Sequence, residues 1–147
     1  MLEWRILKRR HIYIPLVVGF LTPPGVIFVL NLIRTPRIKM MPLDGVDFLT
    51  VLALIPFVAL IFAIRIISLK GWRLECVFWG GLLAVTGFTA YGHVMVWWPI
   101  YFGGHMPSTS AVTFLFIPFY ALVPLALGLF VGHVISLLGV LMLRIGN

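Results

Sequence analysis

The groups in this chain that can do acid–base or metal chemistry are few: four histidines, four acids and one cysteine in 147 residues. Proton relays and metal centres are built mainly from histidine and carboxylate, so the spacing of those residues comes first. His93 lies near the end of one apolar run, and His133 more than twenty residues into the last one. On helices rising 1.5 Å per residue the two differ in depth by roughly 20 Å. That separation excludes a haem held between them. His11 stands in a basic stretch and reads as an interfacial side chain. His133, with Ser136 one turn later, reads as a hydrogen-bonded packing residue.

One set of polar residues does converge. Asn31 closes the first apolar run, and Asp47 and Thr50 open the second. Thr86, Thr89 and His93 fall toward the end of the third, and Ser110 and Thr113 open the fourth. Thr89 and His93, four positions apart, share a helix face. Asp44, His105, Ser108 and Thr109 lie on the connections above them. Polar groups at membrane depth are costly unless paired or wetted. This outer cluster is therefore expected to be a hydrogen-bond network tying helix ends together, or a small site for a metal, quinone headgroup, lipid headgroup or proton. Candidate metal ligands are Asp44, Asp47, His93 and His105, whose spacing is not diagnostic. No cofactor is expected.

Catalytic patterns fail on inventory. The chain has no G-x-S-x-G, no H-E-x-x-H, no P-loop and no dinucleotide glycine fingerprint. The segment GGHMPSTSA (103–111) resembles the PSGH element of phosphatidic-acid-type phosphatases only in part. In PSTS (107–110) the place of that element's histidine is taken by Ser110, and no basic residue follows until Arg144. The resemblance is therefore set aside, and the segment reads as a turn with one hydroxyl capping the next helix. The lone Cys76 permits no internal disulfide or Cys/His framework and reads as a small buried hydrophobe. Glu75 reads as an interfacial charge near Arg73. The balance leans toward a protein that is not an enzyme.

The elements that must position these residues are lipid-adapted helices. The chain is 62% hydrophobic and 10% charged, against about 45–50% and about 25% in a globular protein. From Cys76 to Leu143 there is no Asp, Glu, Lys or Arg at all. A bilayer core asks for about 20 apolar residues per helix, and segments near 12–33, 46–68, 74–98 and 111–143 supply four spans. The expected fold is an all-α, integral membrane four-helix bundle forming one domain, with proline-kinked first and last spans. Pro23 and Pro24 should break or kink the first span, with Thr22 capping its second half, and a re-entrant hairpin is the competing form. Pro56 should kink the second span. The last run should tilt or break near Pro118 or Pro124. A cleaved leader is not expected, since no A-x-A-like site follows the first apolar run.

Charge sets orientation and partners. Ten of the eleven Lys and Arg precede residue 74, in clusters flanking apolar runs, which is a membrane pattern and not a nucleic-acid face. Both termini and the second connection carry eight cations, and the opposite side carries Arg34, Arg37 and Lys39. The positive-inside rule places both termini in the cytoplasm, in a bacterial cytoplasmic membrane. Arg5, Lys8, Arg9 and Arg10 are the expected lipid-headgroup contacts. Trp4, Trp72 and Trp79 would form an inner aromatic belt, and Trp97 and Trp98 an outer one. Gly128 and Gly132 form a GxxxG, and Gly80, Ala84 and Gly87 a small-residue face, both suited to close helix packing. Expected partners are the lipid bilayer and a membrane protein or second copy of the chain. The function these features favour is that of an accessory, assembly or immunity-type component working through helix contacts. A small oligomeric transporter or channel, or a protein with a site at the outer helix ends, are the alternatives.

Overall fold

A computed structural model describes residues 2–33, 46–103 and 110–145, all helical apart from short interruptions at Leu54, 67–71 and Ala121. The helices are α1 (Leu2–Ile33), α2 (Val46–Ala53), α3 (Ile55–Ile66), α4 (Trp72–Trp98), α5 (Ser110–Tyr120) and α6 (Leu122–Ile145). A single π-helical turn, Pro99–Gly103, continues α4. No strand occurs among the described residues.

Three helical stretches are long and apolar enough to cross a membrane: Arg9–Ile33, Trp72–Trp98 and Leu115–Leu143. The second apolar run is shorter as a helix, Thr50–Ile66. Large apolar side chains point outward all around the bundle, with Phe62 at 64% and Phe130 at 65% exposed. An outer surface so apolar on every side is what a hydrocarbon surrounding rewards and water penalises.

Proline explains the interruptions at Leu54 and Ala121, which fall near Pro56 and between Pro118 and Pro124 as expected. Pro56 has no N–H for the Leu52 carbonyl. Just ahead of it Leu54 N–H turns back to Val51 O (3.2 Å), and the regular pattern resumes with Val58 N–H to Leu54 O (2.9 Å). In the last run the interruption at Ala121 lies between Pro118 and Pro124, bridged by Ala121 N–H to Ile117 O (2.9 Å) and Leu125 N–H to Ala121 O (3.1 Å). The first run differs from expectation. α1 stays one helix through Pro15, Pro23 and Pro24, with no turn for a re-entrant hairpin. Thr22 does not cap a second half; its hydroxyl donates to Val18 O at 2.7 Å, inside the helix. The rings of Pro15 and Pro23 are fully buried against neighbouring helices. Packing of this kind, with hydroxyl help, is what lets proline persist within a membrane helix.

The bundle is arranged around α4. Its buried residues, Phe78, Leu82, Val85, Thr89, His93 and Val96, recur at three- and four-residue steps and form one inward stripe. Phe57, Leu60 and Ile64 of α3 meet the lower part of that stripe together with Ala121 and Leu125. At the other end Ile27 and Leu30 of α1 join Val96, Trp97, Tyr101 and Ile117.

On its other flank α4 meets α6 more closely than any other pair of helices. A Cβ on Gly128 would strike the Gly80 carbonyl and lie 2.6 Å from Ala84 Cβ. One on Gly132 would strike the Cys76 carbonyl and lie 2.7 Å from Val77 Cα. Small residues on both faces are what allow backbone to meet backbone here. Gly87 takes no part: nothing lies within 4 Å of the place its Cβ would occupy.

Candidate functional site

Four of the polar residues expected at the outer cluster are placed by the inward stripe of α4 and its neighbours. Thr89 is fully buried and His93 is 3% exposed, one turn apart on the same face. Thr50 of α2 is buried, and Asn31 is half-buried beside Leu30 at the end of α1. The π-turn after α4 carries Tyr101 inward, with its ring centroid 6.3 Å from that of Trp97. Both rings are buried. Trp97 is thus not a belt residue; it extends the stripe of Thr89 and His93, whereas Trp98 faces outward.

Thr89 Oγ1, Thr86 Oγ1 and Asn31 Oδ1 are buried without a hydrogen-bond partner among the described residues. Thr113 is exposed. Asp47 and Ser110 have helical backbones, but their side chains lie outside the described set, as do Asp44, His105, Ser108 and Thr109 entirely. Among the described residues no group of three or more His, Cys, Asp or Glu could hold a metal.

At the opposite end the structure assembles a group that sequence reasoning missed. His11 Nε2–H donates to Glu75 Oε1 at 2.9 Å, and Arg10 pairs with the other carboxylate oxygen. The His11 side chain is only 7% exposed, and its ring centroid lies 4.5 Å from that of Phe78. His11 is therefore a buried link between α1 and α4, not an interfacial side chain. Glu75 takes its partners from α1 rather than from Arg73. These residues are 64 positions apart, so no local pattern could have joined them. The available signal was scarcity: Glu75 is the last acid in the chain, and an acid at the edge of a membrane helix requires a cation. Ser136 is fully buried and donates to the His133 carbonyl at 2.7 Å, so its bond is to the backbone and not to the imidazole.

Between α1 and α4 runs an open groove of about 430 Å³. Leu21, Gly25 and Val29 form one wall, and Thr86, Ala90 and Val94 the other. Nothing lies within 4 Å of a Cβ placed on Gly25. The groove is almost wholly apolar, and of the two threonines lining it only Thr86 has a hydroxyl without a partner. Such a surface has no inventory for bond-breaking chemistry. It does have the shape and the small residues for close approach of another apolar element.

A scan against protein-family models, a search of curated proteins and a search of solved structures each return no match to this chain.

Proposed function

We propose that this chain is a small polytopic membrane protein that acts without catalysis, as an accessory, assembly or immunity-type component, by holding a partner's transmembrane helix in the α1/α4 groove. In this reading α2 and α3 together make a fourth, proline-kinked span, and the interruption at Ala121 kinks the last. Both termini face the cytoplasm of a bacterial cytoplasmic membrane, on the balance of eight cations against three. The observation that carries the proposal is the groove itself. Its walls bear the small residues Gly25 and Ala90, with the unpartnered Thr86 hydroxyl buried behind them, and it is open rather than enclosed.

A transport pathway through a single copy is less well supported. Between Glu75 and Thr89 the buried face of α4 is Val77, Phe78, Gly81, Leu82 and Val85. That is roughly 20 Å of helix in which the buried polar side-chain atom is Thr86 Oγ1 and no His, Asp, Glu, Lys or Arg occurs. Ion routes require ionisable or wetted groups at such depths.

Photo-crosslinkers at Leu21 and Val29, compared with positions Leu138 and Met142 on the exposed face of α6, test the proposal in native membranes. The groove positions should give a discrete protein adduct and the α6 positions only lipid. Adducts of equal yield from both faces, or a band that is a second copy of this chain, would count against a heterologous helix in the groove.

A further inference from the structure

The turn between α3 and α4 concentrates charge that nothing in the described structure neutralises. Arg65 ends α3 and is exposed, Lys70 is exposed, and Arg73 stands in the first turn of α4. Gly71, at φ 61°, reverses the chain between the two helices. Arg73 Nε is buried and has no hydrogen-bond partner among the described residues. Glu75, two positions on, is the one carboxylate among the described side chains, and Arg10 and His11 already occupy both its oxygens.

That occupation has two effects. It ties Arg10, whose side chain stays 42% exposed, to Glu75, and it leaves Arg65, Lys70 and Arg73 without a counter-charge among the described residues. Beside these cations lie apolar groups that are also exposed: Ile66 at 80%, and Trp72 at 44%. The Trp72 ring lies over Gly139 of α6, where a Cβ would strike it. A fixed indole at the edge of an apolar bundle, next to free guanidinium and ammonium groups, complements a ligand with an anionic head and an apolar tail.

We infer that the α3–α4 turn binds the phosphate of an anionic membrane phospholipid, through Lys70 and Arg73 with support from Arg65, while its glycerol and acyl region lies against Trp72 and Ile66. This assigns a headgroup site to the second cationic cluster, distinct from the N-terminal Arg5, Lys8, Arg9 and Arg10. It rests on the chain lying in a bilayer and is independent of any partner in the groove, so it is tested on the purified protein alone.

The experiment measures binding of phosphatidylglycerol, phosphatidylcholine of the same acyl composition, and inorganic phosphate to the detergent-solubilised full chain, by native mass spectrometry and thermal shift. Phosphatidylglycerol should be retained in preference to phosphatidylcholine. The double variant Lys70→Ala/Arg73→Ala should weaken its retention roughly 30-fold, and Lys8→Ala/Arg9→Ala, which removes equal charge, by no more than about threefold. Lys70→Arg/Arg73→Lys should bind as the native chain does, which separates lost binding from lost folding. Equal loss from the two alanine pairs, equal retention of both lipids, or displacement of the lipid by millimolar inorganic phosphate would each overturn the inference.

Discussion

Replacing Gly128 with leucine is expected to unfold the contact between α4 and α6 and cost about 3 kcal/mol or more. Overpacking in a core is usually relieved when the neighbouring side chain changes rotamer. Here the neighbour is the Gly80 carbonyl, with Ala84 Cβ beside it, and a backbone carbonyl has no rotamer to change. The two helices must separate, and with them go the contacts of Ala121 and Leu125 to Phe78, Leu82 and Val85. Thermal unfolding in detergent reads the loss directly. Gly87→Leu is the matched control: the same substitution on α4, with nothing within 4 Å. It should leave stability within about 0.5 kcal/mol or raise it slightly, since leucine is the better helix former. If both variants melt alike, the close approach of α4 and α6 at Gly80 is not what holds the bundle.

Glu75→Ala should produce the second large effect. Removing the carboxylate leaves His11 Nε2–H without its acceptor in a site only 7% exposed and strips Arg10 of its counter-charge. The orphaned buried donor sets the scale, about 2 kcal/mol or roughly 4–8 °C in Tm. Arg10→Ala should cost less, under about 1 kcal/mol, because the Arg10 side chain is 42% exposed and its attraction is screened. The order of the two effects is the informative part. A larger loss for Arg10→Ala than for Glu75→Ala would mean that the pair works by long-range charge and not by the buried histidine bond.

What could be read from the sequence, and what could not, follows from the range of each interaction. Helical, lipid-adapted elements are written locally: the charge-free run from Cys76 to Leu143 and its apolar length leave no other secondary structure for a hydrocarbon surrounding. Gly128 and Gly132 can be recognised as a close-approach pair. That their counterparts are the Cys76 and Gly80 carbonyls, and that Gly87 faces open space, depends on how α4 is rotated. The local rule for proline failed at Pro23–Pro24, because tertiary burial of a ring and the Thr22 hydroxyl offset what the isolated helix would lose. The His11–Glu75 link was invisible because it joins two helices across 64 residues. Among the outer polar residues, depth could be read from position along each span. Burial could not, and Thr113, in the first turns of α5, is exposed while Thr89 and His93 are buried.

The helix-contact reading is tested most directly by filling the groove. Gly25→Leu places a large apolar side chain where the folded monomer has open space, so thermal stability should hold or rise slightly. The photo-adduct formed from Val29 in native membranes should at the same time fall at least about tenfold, the loss expected when roughly 1.4 kcal/mol of close packing is denied to an incoming helix. An undiminished adduct in a stably folded Gly25→Leu protein would show that the partner does not enter between α1 and α4, and would contradict the proposed function.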